Sequence, residues 1–253
     1  MSEIKGEILS IKSLSGGYGG VDILHNVSLT VKTGEIVVMI GPNGAGKTTA
    51  FNIISGTLRP DSGEVHLEGK PITGLHPHKI TRRGMSRTFQ ISRNFEDLTV
   101  LENLIAQSQY QGLRNLFRPA IASSEEEKAM EMLEFLNISR LAREEARSLS
   151  YGQKKLMDLA ALLMSTPRII LLDEPAGGVN PTLLATIVDH INELNKRGLT
   201  VLIVEHNMNL VMEISHKVVV MAYGTVIAEG DPLTIQDDPS VLEAYLGGGQ
   251  TND

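Results

Sequence analysis

Cysteine and tryptophan are absent from the 253-residue sequence, and aromatic residues make up only 4% of it. The lack of cysteine excludes disulfide bonds, zinc–thiolate sites and thiol nucleophiles. Long apolar runs are also missing, since none approaches the roughly 20 residues with which a helix spans a bilayer. The first seven residues lack the basic-then-apolar pattern of a signal peptide. We therefore expect a chain that is soluble on its own.

Basic residues are scarcer than acidic ones: 23 against 30, which gives a formal net charge of −7. Nonspecific binding to nucleic acid depends on neutralising phosphates, so we expect no nucleic-acid partner. Arg82, Arg83 and Arg87 form a local basic cluster, which we interpret as a solvated surface. The chain length suits one globular unit with an appended subdomain, or two small domains.

Three short apolar runs predict strands at Ile36–Ile40, Ile169–Leu172 and Val201–Val204. Each run is continuous rather than alternating and is followed by a helical pattern, which is typical of parallel strands buried on both faces. Polar or glycine-rich sequence follows each run directly. Because ligands bind at the carboxyl ends of parallel strands, these three strand ends predict one composite site.

Other segments have different patterns. Residues 7–12 and 63–69 partly alternate between apolar and polar side chains, which predicts antiparallel strands. Residues 91–148 predict mostly helix. After the second buried strand, Asn180 can cap a helix and Pro181 suits its first turn. The chain therefore combines a parallel sheet, an antiparallel sheet and a helical region.

The first buried strand runs into Gly-Pro-Asn-Gly-Ala-Gly-Lys-Thr at residues 41–48, which matches the phosphate-binding P-loop pattern in full. Its glycines let backbone N–H groups converge on phosphate oxygens, and the following helix adds its positive N-terminal end. Lys47 supplies a charge for the β- and γ-phosphates, and Thr48 supplies a hydroxyl for Mg²⁺. The residues expected to bind nucleotide are Asn43, Gly44, Ala45, Gly46, Lys47, Thr48 and Thr49.

Carboxylates and a histidine follow the other two buried strands. Asp173 ends its strand and suits contact with Mg²⁺ through water. Glu174 points elsewhere and can activate a water molecule as general base. His206 follows the third strand, where it can contact the γ-phosphate and help to place that water. His76 and His78 lack a partner pattern of metal ligands and are interpreted as surface loop residues.

Leu-Ser-Tyr-Gly-Gln at residues 149–153 opens a strongly helical stretch. Ser150 and Gln153 have the spacing of a capping box. A capped helix start beside a glycine is also a place where phosphate binds. These residues are compatible with both interpretations.

Together, the P-loop, the Leu-Ser-x-Gly-Gln helix start, the Ile-Leu-Leu-Asp-Glu-Pro strand and the later strand ending in Glu-His resemble the ATP-binding-cassette (ABC) ATPases. The resemblance runs from end to end of the chain. It implies an α/β fold with a P-loop NTPase (RecA-like) core, an N-terminal antiparallel β subdomain and an inserted α-helical subdomain. A single domain, 1–253, would then comprise a core of 1–90 and 165–253 and a helical signature subdomain of 91–164.

The resemblance also implies ATP and Mg²⁺ as cofactors and assigns roles to particular residues. Tyr18 is similar to the aromatic residue that stacks on adenine. Gln90 is similar to the glutamine that joins the two subdomains and senses Mg²⁺ and the γ-phosphate. Ser150, Gly152 and Gln153 resemble the signature that closes on ATP held by the opposite subunit. The implied catalytic residues are Glu174, His206, Gln90 and Lys47, and the implied metal ligands are Thr48, Gln90 and Asp173.

A second segment, Leu-Ser-Gly-Gly-Tyr at residues 14–18, resembles the signature more closely than residues 149–153 do. It precedes the P-loop, lies in a predicted strand–turn region and is followed by no long helical pattern. We therefore assign the signature to residue 149 onward and interpret Gly16 and Gly17 as turn formers.

Two residues depart from the family pattern: Tyr151 replaces the usual signature glycine, and Asn180 stands where an aspartate often makes the subunit contact. Residues 176–181, 205–212 and 244–247 nevertheless resemble importers of branched-chain amino acids. Urea or amide importers of the same branch are a close alternative.

The importer resemblance implies a head-to-tail dimer with a second cassette, identical or paralogous, together with membrane permease subunits and, indirectly, a substrate-binding protein. It thus implies a cytoplasmic location, peripheral on the inner face of the membrane. Phe95, Leu98 and Leu101 suit permease docking and the helical core equally. A non-transport ABC ATPase acting on nucleic acid or ribosomes is disfavoured by the lack of a long heptad run and of a second cassette. Glu174 and His206 disfavour a module without catalysis.

Overall fold

The computed structural model describes residues 5–88, 95–108 and 123–247 of the chain. A six-stranded sheet, called here the parallel sheet, lies at its centre. Its strands in spatial order are β10 (Thr225–Gly230), β9 (Lys217–Ala222), β3 (Ile36–Ile40), β8 (Thr200–Val204), β7 (Ile169–Asp173) and β6 (Met85–Arg87). Only β10 pairs in the antiparallel sense among these six described strands. Strands β3, β7 and β8 are buried at every position, which confirms the three predicted strands.

A second sheet is antiparallel throughout its described strands. Its order is β2 (Val21–Thr33), β1 (Lys5–Tyr18), β4 (Ser62–Leu67) and β5 (Lys70–Pro71). The antiparallel pairing of β1 with β4 confirms the prediction for residues 7–12 and 63–69.

The interpretation of Gly16 and Gly17 as turn formers is wrong, because both glycines lie inside β1. The turn follows at Gly19 and Gly20, whose φ angles are 59° and 84°. A Cβ atom on Gly17 would lie 1.7 Å from the carbonyl oxygen of Val21. Close approach of β1 and β2, rather than a turn, therefore requires a glycine at position 17.

The helices are α1 (Lys47–Ile54), α2 (Pro77–Thr81), α3 (Val100–Ser108), α4 (Ser123–Phe135), α5 (Tyr151–Leu163), α6 (Pro181–Lys196), α7 (Met208–Ile214), α8 (Pro232–Gln236) and α9 (Pro239–Gly247). Residues 139–141 and 146–148 form 3₁₀ turns, so the stretch before α5 contains less α-helix than predicted. Asn180 caps α6 as expected, because its side chain accepts the N–H of Leu183 at 2.9 Å. In the described ranges, no helix is both long enough and apolar enough to cross a bilayer.

Residues near α2 require a smaller correction. His76 lies in the loop before this helix, as expected, whereas His78 lies within the helix, so the loop prediction is wrong for His78 alone. Both side chains are exposed, which confirms the expected surface position.

The parallel sheet separates two hydrophobic clusters. Successive side chains of a strand point to opposite faces, so Val37 and Met39 of β3 join one cluster while Val38 and Ile40 join the other. The first cluster contains α1 and the antiparallel sheet, and the second contains α3 to α6. Burial of each large apolar side chain is worth about 1.5–3 kcal/mol, so packing on both faces holds the loops at the sheet edge in place. The predicted boundaries at residues 91 and 164 stay a prediction.

Candidate functional site

The carboxyl ends of β3, β7 and β8 meet at one edge of the parallel sheet, because these strands are neighbours with the same direction. Backbone hydrogen bonds connect the segments that follow them. The N–H of Glu174 donates to the carbonyl of Val204 at 3.0 Å, and the N–H of Glu205 donates to that of Met39 at 3.1 Å. The P-loop, Glu174 and His206 therefore lie at the same sheet edge.

The P-loop backbone depends on its glycines. Gly44 and Gly46 have left-handed φ angles of 80° and 96°. A Cβ atom on Gly41 would lie 2.0 Å from the carbonyl oxygen of Met221, and one on Gly46 would lie 2.7 Å from a leucine side chain. Because α1 begins at Lys47, the unpaired N–H groups of its first turn face the loop. A concavity without side chains and lined by N–H groups fits a phosphate chain.

Lys47 lies over the P-loop. Its ammonium donates to the carbonyl oxygens of Gly41 at 2.6 Å and Pro42 at 2.9 Å. Partial burial lowers the pKa of Lys47, and the negative charge of Glu174 opposes that shift. The ammonium is thus held inside the loop, where a phosphate chain would meet it.

Two oxygen donors near the P-loop fit a hard divalent cation. Thr48 is exposed in the first turn of α1, and Asp173 is buried at the end of β7. The described residues contain no group of three or more His, Cys, Asp or Glu side chains able to hold a metal ion. This pair fits Mg²⁺, which keeps several waters and takes its remaining ligands from substrate phosphates.

Arg87 is a site residue that the sequence analysis missed. Its guanidinium donates to Asp173 Oδ2 at 2.8 Å, and both side chains are almost fully buried. The interpretation of Arg87 as part of a solvated surface is therefore wrong. Strand β6 pairs with β7 and places Arg87 opposite Leu171. A three-residue strand carries too short a pattern to predict this pairing.

Glu205 is a second missed residue. Its fully buried carboxylate accepts the N–H groups of Ala176 at 2.7 Å, His206 at 2.8 Å and Asn207 at 3.0 Å. The sequence analysis used this glutamate only as part of the family patterns and gave it no role of its own, because no local signal shows where its carboxylate points. It joins the segment after β7 to the segment after β8.

Glu174 and His206 approach each other across this edge. Their closest atoms, Glu174 Oε1 and His206 Nδ1, are 3.9 Å apart, and 64% of the His206 side chain is exposed. Glu174 has a φ of 48°, a conformation that costs about 1–3 kcal/mol in a residue other than glycine. Its carbonyl accepts the N–H of Gly177 at 3.0 Å and the ammonium of Lys155 at 3.2 Å. These bonds hold the main chain that carries the carboxylate.

Tyr18 ends β1 with 46% of its surface exposed. Its hydroxyl accepts a hydrogen bond from the side-chain amide of Asn52 on α1. An exposed ring anchored at its hydroxyl end is available for stacking on a flat ligand.

The segment 149–153 forms the capping box that its spacing predicts. Ser150 Oγ accepts the N–H of Gln153 at 3.4 Å, and Gln153 Oε1 accepts the N–H of Ser150 at 2.8 Å. A Cβ atom on Gly152 would lie 2.1 Å from the side chain of Leu183, so α5 approaches α6 closely at this point. This helix start packs in the cluster of α3 to α6, whereas α1 lies in the other cluster.

Gln90 lies outside the described residues. Phe95 is 55% exposed, while Leu101 packs against the cluster of α3 to α6. Leu98 is half-buried. The functional roles assigned to individual residues stay predictions.

A protein-family model described as ABC transporter matches residues 24–177, more than half of the chain. The chain belongs to the ABC transporter family. A second model, described as branched-chain amino acid ATP-binding cassette transporter, matches residues 225–251. Membership of this family confirms the ABC resemblance, the α/β fold class and the ATPase class.

Known proteins resemble the chain over nearly its whole length. The probable branched-chain amino acid transport ATP-binding protein LivG of Archaeoglobus fulgidus is 42% identical over 246 residues, which cover 95% of this chain and 96% of that protein. The ADP conformation of MJ1267, an ATP-binding cassette of an ABC transporter, is similar with a TM-score of 0.87 at 38% identity, covering 96% of this chain and 100% of the other. The dimeric structure of MJ0796, a bacterial ABC transporter cassette, has a TM-score of 0.78 at 29% identity, covering 88% and 98%.

Proposed function

We propose that this chain is the ATP-binding and ATP-hydrolysing subunit of an ABC importer for branched-chain amino acids. The match of residues 225–251 to the branched-chain amino acid cassette model carries this proposal. These residues lie outside the range 24–177 matched by the general family model, so they are a separate signal for this branch. The similarity to LivG of Archaeoglobus fulgidus along the whole chain supports the same substrate class.

The nucleotide is proposed to bind along the P-loop. Backbone N–H groups of the loop and the positive end of α1 would hold its phosphates. The ammonium of Lys47, within 2.6 Å of the Gly41 carbonyl, would exchange part of its backbone contacts for phosphate oxygens. Tyr18 would stack on adenine. The proposed binding residues are Tyr18, Asn43, Gly44, Ala45, Gly46, Lys47, Thr48 and Thr49.

Bound Mg²⁺ would neutralise charge on the transferred phosphoryl group. Thr48 and Asp173 would hold it, and Gln90 is proposed as a further contact. Asp173 is suited to contact through water because it is buried beside Arg87. The oxygen chemistry of these residues supports magnesium rather than a softer metal.

Glu174 is proposed to orient the attacking water and to accept its proton. The strained main chain and the hydrogen bond from its N–H to Val204 limit where the carboxylate can lie. His206, 3.9 Å away from that carboxylate, would contact the γ-phosphate. Lys47 would stabilise the charge that develops on the phosphoryl oxygens. The position of Glu174, His206 and Lys47 at one sheet edge supports these three proposed roles.

A second cassette is proposed to complete each site. Ser150, Gly152 and Gln153 would contact ATP held by the partner, because the exposed capped start of α5 can present N–H groups to phosphate. ATP would thereby favour the closed dimer, and hydrolysis would remove that preference. The likeness to MJ0796, a cassette with a dimeric structure, supports the pairing of two cassettes.

The proposed location is the inner face of the cell membrane, as a peripheral subunit on permease partners, with a substrate-binding protein acting indirectly. The exposed ring of Phe95 is the proposed permease contact among the described residues, because it is more exposed than Leu98 and Leu101. We expect no nucleic-acid partner.

The test is a pull-down from native membranes with Glu174→Gln in Mg²⁺–ATP, with partners identified by mass spectrometry. We expect to recover polytopic permeases and a second cassette. We also expect their genes to lie beside a gene for a substrate-binding protein specific for branched-chain amino acids. A urea or amide binding protein would change the substrate class. Recovery of ribosomes or DNA-repair proteins without membrane proteins would overturn the importer proposal and leave the ATPase class.

A further inference from the structure

The buried guanidinium of Arg87 joins α1 to the end of β7. Its Nη2 atom donates to Asp173 Oδ2 at 2.8 Å. Its Nη1 atom donates to Asn52 Oδ1 and to Ser55 Oγ, both at 2.8 Å. The ring of Phe51 lies 5.4 Å from the guanidinium carbon. One side chain thus contacts two elements that border the nucleotide site.

Burial and the fixed geometry of the guanidinium together determine where the Asp173 carboxylate lies. Only 6% and 3% of their side chains are exposed, so neither charge has bulk water as an alternative partner. A guanidinium is a planar fork with fixed donor directions. Because Asn52, Ser55 and Phe51 fix the plane of that fork, the direction of its Nη2 donor sets where Asp173 Oδ2 lies. The other oxygen of the carboxylate would then be the one that contacts a metal-bound water.

Two of the residues that contact Arg87, Phe51 and Asn52, lie on the helix that carries Thr48, and Ser55 directly follows that helix. Asn52 lies four residues after Thr48, and residues at this spacing share one face of a helix. Thr48 and Asp173 are the two proposed oxygen donors to Mg²⁺ within the described residues. The contacts of Arg87 therefore connect the helix that carries Thr48 to the carboxylate of Asp173.

We propose that Arg87 is a positioning residue that holds the Asp173 carboxylate in register with Thr48 and so sets the coupling between Mg²⁺ and the nucleotide. This inference rests on the proposed function, since it takes Mg²⁺–ATP as the ligand. It predicts an effect on metal coupling that acts through Asp173. A role in stability alone predicts no such effect.

The first experiment measures the dissociation constant of a fluorescent ATP analogue with EDTA and with Mg²⁺. The ratio of the two constants is called here the metal coupling. A contribution of Tyr18 to binding of the base is present in both constants and therefore cancels in this ratio. Arg87→Lys keeps the charge, but a single ammonium cannot retain the three contacts to Asn52, Ser55 and Asp173. We expect the coupling to change by about tenfold, the lower end of the range for partners of metal ligands, toward the value of Asp173→Asn.

A double-mutant cycle separates positioning from general damage. In the Asp173→Asn background, Arg87→Lys should leave the coupling unchanged, because the carboxylate on which it acts is already gone. Arg168→Lys is the matched control, since Arg168 forms an exposed ion pair with Glu68 away from the nucleotide site. Asn52→Ala removes one hydrogen bond to Arg87 and should change the metal coupling in the same direction. This variant replaces Arg87→Lys as the test if Arg87→Lys does not fold.

Wild-type coupling in folded Arg87→Lys, with only a lower melting temperature, would overturn the inference. Equal effects of Arg87→Lys in the wild-type and Asp173→Asn backgrounds would overturn it as well. Failure of the wild-type chain to bind the ATP analogue at all would instead refute the proposed function. The two failures are therefore distinguishable.

Discussion

Glu205 tests how the loops at the sheet edge are held together. Its carboxylate is fully buried and accepts the N–H groups of Ala176, His206 and Asn207 at distances of 2.7–3.0 Å. One oxygen serves the segment that follows Glu174, and the other serves the segment that contains His206. The perturbation we choose is Glu205→Gln, which keeps the size of the side chain and removes one accepting oxygen.

The structure allows the magnitude to be worked out. Whichever way the amide of Glu205→Gln is turned, at least one of the three backbone N–H groups faces an NH₂ group that cannot accept. A hydrogen bond to a charged group contributes about 1.5–3 kcal/mol, and the bonds that remain lose the charge of the acceptor. We therefore expect the free energy of unfolding to fall by about 2–4 kcal/mol. For a chain of this size, that lowers the melting temperature by about 5–15 °C.

Scanning calorimetry and urea unfolding measure this loss, and ATP turnover measures its effect on the site. Turnover should fall too, because the segments that carry Glu174 and His206 lose their common anchor. Glu193→Gln is the matched control: Glu193 is half-exposed and pairs with Arg197 at 3.1 Å, so its loss should cost about 0.5 kcal/mol or less. Equal melting temperatures for Glu205→Gln and this control would refute the reasoning.

Three further outcomes are expected. Glu174→Gln should bind ATP but turn over far more slowly, because an amide accepts no proton; unchanged hydrolysis would contradict the general-base role. Ser150→Arg should bind ATP without hydrolysing it, because the longer side chain blocks closure on the partner's nucleotide; normal turnover would argue against a composite site. Burial lowers the pKa of His190, and the negative charge of Asp189 opposes that shift. As the pH falls through the ordinary pKa of histidine, the unfolded chain therefore binds more protons than the folded chain, and the free energy of unfolding decreases. His190→Gln should reduce this slope of the urea midpoint against pH, and equal slopes would exclude the effect.

Local sequence was sufficient for the main elements of the site. The uninterrupted apolar run of β3 predicted a strand buried on both faces, because such a run has no polar side chain to turn toward water. Ser150 and Gln153 predicted their own capping box, since both partners lie within one helical turn. The P-loop was readable for the same reason, because its glycines and Lys47 are consecutive in the chain.

Other predictions failed where the pairing of neighbouring strands decides the surroundings of a residue. The sequence predicted a turn at Gly17. In the structure, the carbonyl of Val21 on the neighbouring strand leaves no room for a side chain at position 17. The sequence around Arg87 is typical of a surface charge, because its partner Asp173 lies 86 residues further along the chain. Its burial depends on the pairing of β6 with β7, which three residues cannot predict.

The sequence by itself therefore determined the buried strands, the helix caps and the glycine-rich P-loop, because the pattern that indicates each of them lies within a few consecutive residues. Only the tertiary structure decided which carboxylates face inward and what they hold. Glu205 reaches Ala176 across 29 residues of chain, and its direction follows from the register of neighbouring strands. Buried charges must find partners wherever the fold brings donors close, and such proximity is a property of packing rather than of sequence pattern.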